Sequence, residues 1–308
     1  MPRGARRCVA GARVRRGGRV RRAAIGLGLL GGLVAWAVEI AGQAPAPIVA
    51  LAVLPIGGWA ILEVWLARRA RVPVAALLAA FLWGAAVAAP LSSHLNEFFR
   101  AAIGDALDLG GRWNGVATLV GPLVEEFAKA IPLLALPLVR RRPGAQPVLW
   151  GMALGAASGL GFATTENVVY LTIAAFQGGM PGLMQAVWAR GILSGFKHAL
   201  FTATLGAGLG LATLETSSAR CWLAGLAGLL GALVQHAAWN GLASPLVQDI
   251  LCDRPSPAEA CATSAGPQPL FLWTPVVVAL ALVPGIMALR WLLREPGAAR
   301  SSTSIRRG

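Results

Sequence analysis

The chain has 308 residues, 56% of them hydrophobic and only 13% charged, and its mean hydropathy is +0.65. That balance excludes an ordinary soluble domain. The net charge of +14 points first to nucleic acid, but the basic residues sit in flanks between apolar runs, which is the pattern of a membrane protein.

Residues 1–22 form an arginine-rich tail. The apolar run that follows exceeds a cleaved signal in length, as does the basic segment before it, so it reads as a membrane anchor. Eight apolar runs of about 20 residues, the length that crosses a bilayer core, are expected at 23–42, 48–67, 73–93, 114–139, 147–175, 188–214, 221–243 and 270–291. The predicted fold is therefore all-α, one polytopic bundle of eight transmembrane helices. It spans 23–291, with a motif-bearing core at 114–243 and a second basic tail at 292–308. With both termini inside, arginines at 3–22, 68–71, 140–142, 220 and 290–307 fall on the inner face. Arg100, Arg112, Arg190 and Arg254 fall outside or at the outer edge. This positive-inside bias supports the topology. The expected location is a plasma membrane with cytoplasmic termini.

Between the third and fourth runs, residues 94–113 place Phe98, Phe99, Ala102, Ile103, Ala106 and Leu107 at helical spacing opposite Glu97, Arg100, Asp105 and Asp108. That pattern predicts a helix lying on the membrane surface. Gly151, Gly155 and Gly159 recur every fourth residue, and Gly225, Gly228 and Gly231 every third. Small residues at such spacing mark close helix contacts in lipid. Cys252 and Cys261 share a polar outer loop where a disulfide is chemically permitted but not required by spacing. Cys8 and Cys221 fall on the inner side and read as inert thiols.

The fourth run contains GPLVEEFAKAIPLL, residues 121–134, with Glu125, Glu126 and Lys129 in apolar surroundings. A charge at mid-membrane costs about 2.5–3.5 kcal/mol on insertion scales, so such groups face the bundle interior and serve substrates, ions or protons. At 100° per residue Lys129 projects about 40° from Glu125 and about 60° from Glu126, within reach of both. Pro122, Pro132 and Pro137 free backbone carbonyls along the same run. The fifth run aligns Phe162, Glu166 and Tyr170, with Asn167 beside Glu166. The sixth aligns His198 with Thr202 and Gly206, after Lys197, which reads either as a snorkelling residue or as part of the site. The seventh aligns His236 with Asn240. Counting 1.5 Å per residue puts Glu125 and His198 roughly 15–16 Å below the outer edge, and Glu166 and His236 within roughly 10 Å. A common pocket in the outer half of the membrane is compatible with these depths.

No zincin, nucleophile-elbow, P-loop or dinucleotide motif stands in context. Two hydrolytic mechanisms remain. In one, a Glu and a His deprotonate water that attacks a peptide carbonyl, and an amide such as Asn240 stabilises the oxyanion. In the other, His198, His236 and a Glu bind Zn²⁺. A transporter or proton relay is the rival from another class. The absence of a visible repeat and the confinement of ionisable groups to runs four to seven argue against it. A catalytically inactive substrate-binding scaffold is a third reading.

Four motifs, EExxK at Glu125–Lys129, FxxxEN at Phe162–Asn167 with Tyr170, the His198 span, and HxxWN at His236–Asn240, resemble the PrsW family of intramembrane proteases. That family is similar to the wider group containing the CAAX prenyl endopeptidases. The resemblance covers four of the eight expected spans. It implies cleavage of membrane-associated proteins, with single-span proteins of the anti-sigma-factor type as one substrate, and no nucleic-acid partner. It implies a catalytic role for the paired glutamates and a histidine. On this reading Glu125 is the general base, while Glu126 and Lys129 set its charge environment. His198 assists water activation or binds metal, and His236 holds the oxyanion with Asn240 or is a ligand. Glu166 orients a histidine or completes a Glu166, His198, His236 metal set. Asn167 and Tyr170 support the site. Glutamic-type and metallo-type chemistry both remain open.

Overall fold

A computed structural model describes residues 44–107, 115–139 and 146–243. Helix α1 spans Ala46–Ala70. It begins after Pro45 and ends where Arg71 turns into a left-handed conformation (φ 56°) that returns its N–H to the Ala67 and Arg68 carbonyls. Pro73 starts α2, Val74–Trp83, which runs through a π-helical turn at Gly84–Ala88 into α3, Ala89–Leu107. A second π turn, Val116–Val120, leads into α4, Gly121–Lys129. A 3-10 segment, Ile131–Ala135, then precedes the short α5, Leu136–Val139. Helix α6 spans Pro147–Ala186 and passes by a π segment, Val187–Leu193, into α7, Lys197–Leu214. Helix α8, Ser218–Ala238, ends in a last π turn, Trp239–Ala243.

Every regular element among the described residues is helical. Four stretches are long and apolar enough to cross a membrane: Ala46–Ala70, Val74–Gly104, Pro147–Leu214 and Ser218–Gly241. Large apolar side chains face outward, with Phe176 78% and Trp222 79% exposed, whereas Glu126, Lys129, His198 and His236 are buried. A membrane protein has this polarity because lipid solvates the outer apolar surface.

Three expectations change. The run at 114–139 is a helix broken into π, α and 3-10 pieces. Pro132 and Pro137 explain the break, since neither can donate to the preceding turn. The separate surface helix at 94–113 is instead, over 94–107, an uninterrupted extension of α3. The connection expected between 175 and 188 is helical, apart from Gly179 at φ 58°. Only glycine takes that conformation freely, and Pro181 follows two residues later. The expected runs at 23–42 and 270–291, both tails, and Cys252 with Cys261 lie outside the described residues. Cys221 is disulfide-bonded, a correction to its reading as an inert thiol.

The 68-residue stretch Pro147–Leu214 doubles back on itself. A Cβ added at Gly151, Gly155 or Gly159 would fall on the backbone carbonyls of Gly206, Thr202 and His198 respectively. Rising numbers on α6 meet falling numbers on α7, so the two helices are antiparallel and nearly touch at the backbone. Gly208 and Gly228 make a similar contact between α7 and α8. Gly84 lies against the Ser158 carbonyl, and Gly161 against that of Phe81. These close approaches bring α2 with its π turn, α6, α7 and α8 around one interior.

Candidate active site

The interior is organised by α4. Glu125, Glu126 and Lys129 share its buried face. Lys129 Nζ lies 2.6 Å from Glu126 Oε1 and 3.7 Å from Glu125 Oε2. It also lies 3.1 Å from His198 Nδ1 and 4.3 Å above the Phe162 ring. Glu126 is fully buried and saturated. Its carboxylate accepts from Lys129, from Thr202 Oγ1 at 2.9 Å and from His236 Nδ1 at 3.0 Å. Ser158 Oγ donates to the Lys129 carbonyl.

These contacts fix the tautomers. An ammonium only donates, so His198 Nδ1 accepts and its proton is on Nε2. That N–H donates to Glu166 Oε2 at 2.8 Å. A carboxylate only accepts, so His236 carries its proton on Nδ1, and its Nε2 presents a lone pair. Glu125 Oε2 lies 3.5 Å from His236 Nε2 and 3.9 Å from His198 Nδ1. That oxygen is buried and has no hydrogen-bond partner, while Oε1 accepts weakly from Asn96 Nδ2 at 3.4 Å. The unpartnered Glu125 oxygen therefore faces the free His236 Nε2 lone pair, while the His198 Nδ1 lone pair is taken by Lys129. Glu125 Oε2 and His236 Nε2 are both acceptors, so the space between them suits a donor or a cation.

Glu125, His198 and His236 each offer one ligand atom, all within 4.8 Å of one another and all buried. Tetrahedral ligands about 2.0–2.1 Å from zinc lie about 3.3–3.4 Å apart, so the 3.5 and 3.9 Å separations of Glu125 Oε2 from the two rings would have to close on an ion. Each histidine also donates its other N–H to a carboxylate, His198 to Glu166 and His236 to Glu126. That outer pairing is usual for metal-binding histidines. The residues fit a divalent ion. The carboxylate placed with both histidines is Glu125. Glu166 instead touches the far nitrogen of His198.

Glu166 is held by Arg190, whose guanidinium pairs with Oε2. Arg190 also reaches Asn167 Oδ1 at 3.3 Å and lies 3.7 Å from the Tyr170 ring centroid. Asn167 and Tyr170 thus touch Arg190, and Tyr170 is 46% exposed. Asn240 sits apart from the cluster's contacts. Its amide donates to the Ala117 carbonyl at 2.9 Å, tying the last π turn to the turn before α4. An oxyanion role for Asn240 requires that bond to open.

Sequence reasoning missed Arg190 and Asn96. Arg190 was placed at an outer edge and Asn96 on a surface helix, and neither carries a motif. The carboxylate of Glu166 was the available signal for Arg190, since a buried acid needs a cation. The four π turns among the described residues were also invisible. Such turns often mark functional sites; here one feeds α4, one carries Arg190 and one carries Asn240.

Helices with apolar exteriors around buried, hydrogen-bonded Glu, His and Lys side chains define a membrane protein with a polar cluster in its interior. The sequence profile of the PrsW family intramembrane metalloproteases matches residues 72–288. The chain belongs to that family, and it is a membrane protein of peptidase lineage. No curated protein and no solved structure gives a significant match.

Proposed function

We propose that the protein hydrolyses peptide bonds of membrane-associated proteins, within or beside the bilayer, at the Glu125, His198, His236 cluster. A single-span substrate of the anti-sigma-factor type suits a site reached through lipid. The observation that carries this reading is the unpartnered Glu125 Oε2 facing the free His236 Nε2 lone pair. A water placed there has a proton acceptor on one side and oriented rings on the other.

Glu125 takes a proton from that water as its oxygen attacks the substrate carbonyl. The proton then passes to the departing amine, leaving a carboxylic acid and an amine as products. Glu126 fixes His236 and neutralises Lys129, so the charge around Glu125 is set before substrate arrives. Glu166 holds His198 by Nε2 and keeps its Nδ1 turned inward, where it accepts from Lys129. A divalent ion such as Zn²⁺ would be held by Glu125 Oε2, His236 Nε2 and, once Lys129 releases it, His198 Nδ1, and would supply Lewis-acid activation of water and carbonyl.

The test is cleavage of a single-span reporter by the purified protein. Glu125→Ala, Glu126→Ala, His198→Ala and His236→Ala should each abolish cleavage while the protein still accumulates in membranes. A chelator that stops cleavage, with Zn²⁺ restoring it, supports the metallo-type form; full activity after metal stripping supports the glutamic-type form. Retained cleavage in all four variants overturns the proposal.

A further inference from the structure

Among the described residues three buried side-chain oxygens have no hydrogen-bond partner: Glu125 Oε2, Asn96 Oδ1 and Ser92 Oγ. The first belongs to the site already described. The other two lie on α3, four residues apart and so on one face of it. That face turns toward α4. Asn96 Nδ2 reaches Glu125 Oε1 at 3.4 Å, and a Cβ added at Gly121 would stand 3.7 Å from both atoms. Further back along the chain, Ala88 and Ala89 share an apolar cluster with Ala128. Ser92 falls between these two levels and is 1% exposed. The two α3 residues therefore line the seam between α3 and α4 beside Glu125.

A hydroxyl inside a helix commonly bonds the carbonyl four residues back. Ser93 does so at Ala89, Thr164 at Leu160, Thr172 at Val168 and Thr204 at Leu200. Ser92 does not, although it is buried where Ser93 is exposed. An unsatisfied buried hydroxyl or amide oxygen is unfavourable, and an alanine or leucine would avoid it. Two of them on one face, next to an acid of the site, mark a surface that a ligand completes. Asn96 Oδ1 only accepts, so its partner brings an N–H or O–H, and the Ser92 hydroxyl donates as well as accepts. Four residues of helix rise about 6 Å. An extended peptide repeats the N–H and C=O of one edge every second residue, about 6.6–6.8 Å. One edge of an extended segment thus matches both side chains. A helical segment does not, because its N–H and C=O groups are bonded to one another.

We propose that Ser92 and Asn96 form a cradle for the backbone of an unwound substrate segment, in which Asn96 Oδ1 accepts a peptide N–H and Ser92 Oγ donates to a carbonyl of the same edge. This rests on the peptidase reading above. It makes the two residues substrate-binding groups, and it makes local unwinding near the scissile bond a condition of recognition.

The experiment uses the full chain in detergent and single-span peptides in which one backbone amide at a time, the cleaved bond excepted, is replaced by an ester. Each ester removes one N–H and leaves every side chain as it was. At one position the ester should raise KM roughly five- to tenfold with the parent protein, the scale of one hydrogen bond to a buried acceptor. Asn96→Leu should raise KM for the all-amide peptide by a similar factor and abolish the ester effect at that position. Ser92→Ala should raise KM but keep the ester effect, because it removes a different bond. Without substrate, Ser92→Ala should melt at or above the parent temperature, since it deletes an unsatisfied hydroxyl. Binding of the same labelled peptides to His236→Ala, followed by fluorescence anisotropy, reads the cradle without turnover. Ester-sensitive binding with no cleavage by the parent protein would count against the peptidase reading alone. Cleavage by a parent protein that tolerates every ester equally would overturn the cradle and leave that reading standing. An ester effect that survives in Asn96→Leu would also overturn the cradle. So would a fall in kcat alone in that variant, which marks a role through Glu125, or a lowered melting temperature in Ser92→Ala, which marks a hydroxyl already satisfied in the free protein.

Discussion

Glu166→Gln separates two roles that the sequence left together. If Glu166 were a metal ligand, its loss would remove the ion and with it nearly all activity. The structure instead gives it two partners, Arg190 and His198 Nε2, and places Glu125 with the histidine pair. Glutamine has nearly the same shape and keeps one acceptor oxygen, so one bond survives in neutral form. A charge-assisted hydrogen bond contributes about 1.5–3 kcal/mol against about 0.5–1.5 for a neutral one. The expected loss is therefore about 1–2 kcal/mol in holding His198. If that passes into the barrier, it corresponds to roughly 5–30-fold in rate, comparable with the 10–100-fold typical of outer-sphere partners. The assay is kcat on the reporter, together with Zn²⁺ content per protein. A 5–100-fold fall with metal content retained supports the orienting role. Loss of bound Zn²⁺ together with more than 1,000-fold in rate would refute it and restore Glu166 as a ligand. Unchanged kcat would refute any role through His198.

Lys129→Met removes the cation that Glu126 pairs with at 2.6 Å in a fully buried setting. Stranding a buried carboxylate costs about 3–5 kcal/mol, so thermal unfolding in detergent should move sharply downward; an unchanged midpoint would show that Glu126 is already neutral. Gly155→Ala puts a methyl group on the Thr202 carbonyl. Overpacking of this kind costs about 1–3 kcal/mol. Because Thr202 also donates to Glu126 Oε2, lowered stability should come with reduced cleavage, whereas Gly225→Ala, which meets only the Leu209 side chain at 3.7 Å, should change neither.

What the sequence showed, and what it hid, follows from the range of each interaction. Glu125, Glu126 and Lys129 were readable as interior because lipid penalises each charge locally, whatever the other helices do. The α6–α7 seam was readable because glycines at fixed spacing have one use in lipid, and Gly151, Gly155 and Gly159 meet α7 as that spacing implies. Helical spacing gives the face of one helix but not the rotation of one helix against another. The choice between Glu125 and Glu166 as the histidines' companion turns on that rotation. Here Glu166 bonds the far His198 Nε2, a contact 32 positions apart, while Glu125 Oε2 lies 3.5 Å from His236 and 3.9 Å from His198. Arg190 was hidden for a related reason. Its side chain turns toward Glu166 because the chain reverses near Gly179 and continues through the π segment Val187–Leu193. A scheme that treats 175–188 as a plain connection leaves Arg190 at the rim. Arg190 completes a network that already contains Glu166 and His198.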